Sequence, residues 1–231
     1  MADHAVEYAV KDGVGVLRLD DGKANALAPS VLDELHAGLD RALAETTGAI
    51  VLLGRAGRFS AGFDLSVMRQ GPKAVVGMVG RGAELALRIY DCPVPVVIGA
   101  TGHALAMGAV LLLAADERIG AEGDFKIGLN EVAIKMTLPE FAIVLAEERL
   151  SRRHLQRAIN QAEIYSPRDA VDAGYLDRVV APERVESEAI SRAQILAGML
   201  DPKAHRETKR ALRRVALGRL RAAVAEMQSG A

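Results

Sequence analysis

Cys92-Pro93-Val94-Pro95-Val96-Val97-Ile98-Gly99-Ala100-Thr101-Gly102-His103-Ala104-Leu105-Ala106-Met107-Gly108-Ala109-Val110-Leu111-Leu112-Leu113-Ala114-Ala115 decides what kind of protein this is. A run of roughly two dozen residues without a formal charge is nominally long enough to cross a bilayer. Pro93, Pro95, Gly99, Gly102 and Gly108 interrupt it, and His103 sits near its middle. Breakers at that density predict a buried strand over Val94–Ile98, a glycine turn and a buried helix over Met107–Ala114. The run is core, not membrane.

Outward from it, Val6–Val10 and Val14–Leu19 have the two-residue period of half-buried strands, joined by a turn at Asp12-Gly13. Pro29 opens a helix to about Ala44, with Val31, Leu32, Leu35, Leu39 and Leu43 on one face. Ala49–Leu53 reads as a buried strand. A loop from Arg55 to Phe63 leads to Asp64 as an N-cap, and a helix follows Gly71-Pro72 to about Tyr90. Arg118–Ala121 is a short strand. Beyond Glu131 the pattern is mainly helical: Pro139–Arg149, a helix capped by Ser151, Ser166–Ala173, a strand at Tyr175–Val179, Pro182–Met199, and one final helix capped by Asp201. Alternating strands and helices, then helices, predict an α/β core with a helical C-terminal extension.

Composition narrows the function. The chain has 231 residues, half of them hydrophobic and 26% charged, which suits one globular domain, or one with an appendage, and excludes a disordered chain. A net charge of -1 offers no field for nucleic acid or an anionic membrane. Aromatics at 3%, without tryptophan, argue against base stacking. Cys92 is alone, so no internal disulfide and no paired Cys/His zinc site are expected, and the setting is cytoplasmic. Met1–Tyr8 contain Asp3, His4 and Glu7 and no apolar stretch, so no signal peptide is expected.

Three segments could carry chemistry. Phe59-Ser60-Ala61-Gly62-Phe63-Asp64-Leu65 and Thr101–Gly108 both lead small residues into a helix start. First-turn N–H groups lack intrahelical partners, and the helix dipole favours negative charge there. One donor aimed at a developing oxyanion contributes roughly 3–4 kcal/mol. Taken alone, each segment reads more simply as tight strand–helix packing. The third, Phe125–Ile134, sets Glu131 among apolar residues, where desolvation would raise its pKa and make it a better base. Alone, Glu131 reads more simply as a solvated glutamate at a helix start.

In order and spacing, the three together resemble the crotonase, or enoyl-CoA hydratase/isomerase, superfamily over most of the chain. Asp21-Gly22-Lys23-Ala24-Asn25-Ala26-Leu27 resembles its early CoA-contacting loop, Phe59–Leu65 its first oxyanion loop, Gly102–Leu113 its second, and Pro93–Val97 the strand before that second loop. The resemblance implies that the N–H groups of Phe63 and Met107 hold a thioester oxygen. It implies that Lys23, Ala24, Ala26, Ala61 and Leu65 line a CoA groove, mostly through backbone, and that Glu131 is the acid/base. It further implies the crotonase (ClpP/crotonase-like) α/β fold of stacked ββα turns in one domain over 1–231. Within that domain, 1–190 would be the spiral core and 191–231 a helical trimerisation region, giving homotrimers or homohexamers. The substrate would be an enoyl-CoA or other acyl-CoA thioester, with no separate cofactor and no metal.

Departures from the family pattern bear on the reaction. Val110 stands at the first catalytic glutamate of the hydratases, and Glu131 matches the second. Ile127-Gly128-Leu129-Asn130-Glu131 is similar to mitochondrial-type Δ3,Δ2-enoyl-CoA isomerases. One base suffices to move a double bond, so isomerisation is expected. Hydration with Glu140 as a second acid, and a non-catalytic acyl-CoA binder, are the alternatives. Met107 and Ala106 replace frequent glycines, so Met107 needs an unusual backbone angle, or relief from Gly108. Lys135 either pairs with Glu131 or faces solvent, the second being preferred, and Glu140 is expected to be an exposed first-turn residue. His103 is expected to be structural and Cys92 inert. On the final helix, Lys203, Arg206, Lys209, Arg210, Arg213, Arg214, Arg219 and Arg221 read as a solvated face, a rim for CoA phosphates or, last, a nucleic-acid patch. Leu212, Val215, Ala216, Leu220 and Val224 form an apolar stripe that leaves these charges outside.

Overall fold

The computed structural model describes residues 4–45 and 47–229; Met1–Asp3 of the segment read for a leader, Thr46, Gly230 and Ala231 lie outside the described residues. β1 (Val6–Lys11) and β2 (Val14–Leu19) form an antiparallel hairpin whose turn residues Asp12 and Gly13 both take positive φ, the geometry a two-residue hairpin favours. There follow β3 (Ala26–Leu27), α1 (Pro29–Ala44), β4 (Ala49–Leu53), β5 (Gly57–Ser60), β6 (Gly62–Phe63), α2 (Leu65–Met68) and α3 (Pro72–Tyr90). Next come β7 (Val96–Ala100), β8 (Gly102–Leu105), α4 (Met107–Ala114), β9 (Glu117–Ala121) and β10 (Ile127–Gly128). After a 3-10 turn, Val132–Ile134, the chain forms α5 (Glu140–Arg149), α6 (Arg152–Ile159), α7 (Pro167–Ala173), β11 (Arg178–Val180), α8 (Val185–Met199), α9 (Pro202–Leu212) and α10 (Arg214–Ser229).

The main sheet has the order β1-β2-β4-β7-β9-β11 and is parallel beyond the first hairpin. A second parallel layer, β10-β8-β5, and the pair β3-β6 lie apart from it. Each turn of the chain adds a strand to the main sheet (β4, β7, β9) and the next strand to the second layer (β5, β8, β10) before a helix. Both faces of the main sheet are covered. Ile50, Leu52 and Ile98 join the large core with α1 and α3, while Val51, Leu53 and Val97 pack with Ala189 and Ala193 of α8. That is why β4 reads as an unbroken apolar run.

The structure corrects several sequence expectations. The strand expected from Val94 begins at Val96, since Pro95 has no N–H to give the ladder; its carbonyl accepts from Ile50 instead. The expected glycine turn contains β8. There Gly102 passes so close to Gly57 that a Cβ would sit 2.0 Å from its carbonyl carbon. The Tyr175–Val179 strand is Arg178–Val180, the Pro182 helix starts as a 3-10 turn, and the final helix is two, divided at Arg213. Ser151 makes no side-chain cap bond, whereas Asp64, Ser166 and Asp201 do. β1 is largely exposed at the sheet edge and β2 nearly all buried, because only β2 has a strand on each side.

Not all the C-terminal charges lie outside. Lys209 and Arg213 turn inward onto Asp116, at 2.7 and 2.8 Å, and Asp116 also accepts the Val96 N–H at 2.8 Å. Arg213 donates to the Tyr90 carbonyl and lies 4.2 Å over the Tyr90 ring. Arg210 and Arg221 bind Asp91, and Arg219 binds Glu140 and Glu147. Of the apolar stripe, Ala216, Leu220 and Val224 are buried, but Leu212 and Val215 are 82% and 72% exposed. Removing one partner of a buried ionic group leaves charges without compensation. Asp116→Ala is therefore expected to destabilise the protein by about 3–5 kcal/mol, read as a lower urea midpoint at unchanged slope.

Candidate active site

The first wall of the site is a rim of main chain. The Ala61 N–H donates to the Ala24 carbonyl at 3.1 Å, and β3 runs beside β6 with Ala26 opposite Gly62 and Leu27 opposite Phe63. Lys23, Ala24, Ala26, Ala61 and Phe63 are thus brought together, and Leu65, more than half exposed, opens α2 just beyond. The residue that holds this rim is Asn25, which is fully buried at φ +53. Its Nδ2 donates to the carbonyls of Leu19 (2.8 Å), Arg58 and Phe59 (both 3.1 Å), and its Oδ1 accepts from Asp21 N–H at 3.0 Å. Ser60 Oγ donates to the Asn25 carbonyl at 2.8 Å and accepts the Gly62 N–H at 3.1 Å. Sequence reasoning did not assign either supporting role. The available signal was an asparagine in a loop, a residue that tolerates the left-handed region.

The second wall is the start of α4. A Cβ on Gly62 would lie 2.8 Å from Ala106 Cβ and 3.2 Å from the Met107 nitrogen, and one on Gly108 would lie 2.6 Å from the Ser60 carbonyl oxygen. Met107 opens the helix, so its N–H has no acceptor within it. The unusual backbone angle falls not on Met107 but one residue earlier, on Ala106, at φ 49° and ψ -123°. For a residue with a Cβ this conformation costs of order 1–3 kcal/mol. Helix α3 backs both walls: a Cβ on Gly82 would be 2.5 Å from the Phe63 ring and 3.4 Å from Met107 Cε. Six residues before Gly82 on α3, Val76 lines a groove of about 460 Å³ with Glu140, Ala223, Glu226 and Met227.

Glu131 reaches the site through β10. Gly128 pairs with Leu105 of β8, and its carbonyl accepts the Ala106 N–H at 3.0 Å, so the strand ends beside the start of α4. Glu131 then caps the 3-10 turn and is buried, not solvated. Its Oε2 and the Asn130 Oδ1 have no hydrogen-bond partner. Burial pushes its carboxyl up to about 6, opposed by its own backbone amide. Such a group is ionised at neutral pH yet more basic than an ordinary carboxylate.

The neighbours settle the open readings. Lys135 is exposed at φ +65, and among the described residues no cation pairs with Glu131. Glu140 is exposed at the start of α5 and is held by Arg219 at 2.7 Å. Val110 is buried on α4. His103 Nδ1 accepts the Lys126 N–H at 2.9 Å and its ring meets Phe125 edge-on, a structural role. Cys92 is buried, and burial raises its thiol pKa. No described helix is long and apolar enough to cross a membrane.

Comparison with known proteins points to one family. The family model described as enoyl-CoA hydratase/isomerase matches residues 9–229. The human mitochondrial enoyl-CoA delta isomerase 1 is 31% identical over 93% of this chain and 72% of its own length. A probable enoyl-CoA hydratase of Bacillus subtilis is 32% identical over 84% of this chain and 75% of its own. Among solved structures, an apo enoyl-CoA isomerase of Mycobacterium tuberculosis superposes with a TM-score of 0.93 at 38% identity, covering 98% of both chains. The fold is the crotonase fold of the sequence expectation. The names of the relatives divide between isomerase and hydratase.

The raised pKa has a consequence for stability. The folded state holds the Glu131 proton more tightly than the unfolded chain, so stability falls as pH rises from about 4.5 to about 6 and stays lower above. A shift of that size corresponds to about 2 kcal/mol. Glu131→Gln lacks the ionisation, so its stability relative to the wild type is expected to be about 2 kcal/mol more favourable at pH 7.5 than at pH 4, measured by urea unfolding.

Proposed function

The chain belongs to the enoyl-CoA hydratase/isomerase family, and we propose that within it the protein moves a C3 double bond of an enoyl-CoA to C2. The observation that carries this reading is that Glu131, three residues past the Gly128 carbonyl that accepts the Ala106 N–H, is the one buried carboxylate among the described residues and keeps an unpartnered oxygen. Val110 is apolar where hydratases of the family place a second carboxyl, and Glu140 is engaged outside by Arg219. Hydration needs one group to activate water and another to protonate carbon. A double-bond shift needs one.

In the proposed reaction Glu131 takes a proton from C2 of the 3-enoyl thioester. The C2–H electron pair delocalises over C1–C4 and the thioester oxygen, giving a dienolate. The N–H groups of Phe63 and Met107 donate to that oxygen, where each properly aimed donor contributes roughly 3–4 kcal/mol. The protonated Glu131 then returns its proton to C4, leaving the double bond between C2 and C3. Lys23, Ala24, Ala26, Ala61 and Leu65 would line the groove for the CoA moiety, largely through backbone. CoA is then part of the substrate, with no further cofactor or metal in the reaction. The whole chain would act as one domain, and the lone buried thiol suits the cytoplasm.

Glu131→Gln is expected to lower 3-enoyl-CoA isomerisation by 10²–10⁴-fold, while acyl-CoA affinity by calorimetry changes less than about threefold. Because the base must be ionised, kcat/KM should fall tenfold per pH unit below about 6. Efficient hydration of 2-enoyl-CoA with no turnover of the 3-enoyl substrate would favour the hydratase reading. Binding without turnover of either would leave a binder.

We also propose a homotrimer or pair of trimers built on the C-terminal helices. Met199, Leu212 and Val215 are 64%, 82% and 72% exposed, and Met199 and Leu212 flank a groove of about 450 Å³. Leu212→Glu with Val215→Glu should reduce the particle mass from three or six chains to one by light scattering. An unchanged mass would place the interface elsewhere.

A further inference from the structure

Tyr175 is a buried hydroxyl that the steps above do not use. It follows Gly174, which closes α7 at φ +101, where a Cβ would lie 2.4 Å from the Arg149 carbonyl oxygen. The N–H groups of Tyr175 and Leu176 both donate to the Ala170 carbonyl, at 2.9 and 3.1 Å. The side chain is wholly buried; its oxygen faces the Leu129 N–H, two residues before Glu131, and its O–H finds no acceptor. The ring lies 5.7 Å from that of Tyr165, which exchanges both main-chain bonds with Ile127 at 3.0 and 2.9 Å. Tyr175 is therefore packed behind the strand end that continues as Gly128-Leu129-Asn130-Glu131. Burial first, then Tyr165 and the Glu131 carboxylate, hold its phenol well above the ordinary value, so it stays an O–H donor through neutral pH. Asn130 Oδ1 and Glu131 Oε2 are buried acceptors without a partner, one and two residues past the Leu129 N–H that the phenol faces.

We infer that Tyr175 is a positioning residue for Glu131, its phenol donating to Oε2 during turnover so that the other carboxylate oxygen is held toward the substrate. This rests on the role given to Glu131 in the proposed function. The terminal torsion of glutamate is broad, so rotating the carboxylate can present Oε2 to the hydroxyl without moving the backbone. Other titratable groups nearby are engaged elsewhere. Tyr165 donates to Glu163 at 2.8 Å, Glu163 pairs with Arg157 at 3.0 Å, Arg157 meets His154 Nδ1 at 2.9 Å, and Lys135 is exposed. His154 packs on Tyr165 at 5.6 Å, its Nε2 buried without a partner.

The test is Tyr175→Phe. A hydrogen bond to a carboxylate favours its charged form, so losing it should raise the Glu131 pKa by about one unit. The acid limb of kcat/KM should move up with it, and kcat at pH 7 should fall about tenfold with KM changed less than twofold. The carboxyl is also titrated without turnover, with a saturated acyl-CoA bound, by 13C NMR of glutamate-labelled protein with the Glu131 resonance identified from Glu131→Gln. Fluorotyrosine at position 175, a stronger donor of nearly the same shape, should shift this titration the opposite way. Titrations that coincide with the wild type in both proteins overturn the inference, whatever happens to thermal stability. A shifted titration in an enzyme that turns over no 3-enoyl-CoA supports the contact and overturns the reaction instead.

Discussion

Two turns of main chain meet at Gly62 with no room between them for a side chain, and the rest of the site follows from that approach. The Met107 nitrogen can come within 3.2 Å of the position a Cβ would take only because none is there. Ala106 accepts a left-handed backbone to make the approach, a strain that survives only where the surroundings over-determine it. Those surroundings are visible: β8 pairs on both sides, to β5 and β10, and Asn25 and Ser60 tie the rim loops together through six hydrogen bonds to backbone groups. Gly82 lets α3 close over the Phe63 ring behind them.

A half-buried carboxylate and a buried one show how differently the same group can be used. Asp116 is met by Lys209, Arg213 and a main-chain N–H, and it ties α9 and its junction with α10 to the edge of β7. Glu131 is met by none of these. Its burial without a cation lowers stability at neutral pH and raises basicity at the same time, the pattern in which function opposes stability. A fully paired Glu131 would hold the fold better and take protons less well.

The α10 helix has divided loyalties of another kind. Ala216, Leu220 and Val224 are spent on the core, and Arg213 enters it, whereas Leu212 and Val215 are left in water on the adjoining turn. Basic residues that read as a rim for phosphates are largely occupied by Asp91, Asp116, Glu140 and Glu147. Charge along one helix said nothing about these partners, because they lie 72 to 130 residues away in sequence.

Local patterns determined much on their own. Periodicity marked the long helices and the main-sheet strands, Asp64, Ser166 and Asp201 announced their helices by cap chemistry, and the segments around Gly62, Met107 and Glu131 carried the family resemblance. The two-residue strands β3, β6 and β10 have no period to read, and Lys209 and Arg213 look like any solvent-facing cations until Asp116 is beside them. Whether Glu131 was wet or dry, and which residue before α4 bore the strain, could be decided only by tertiary structure. Burial and backbone strain are set by which distant segments pack together, and a one-dimensional pattern records spacing along the chain but not what the fold brings against it.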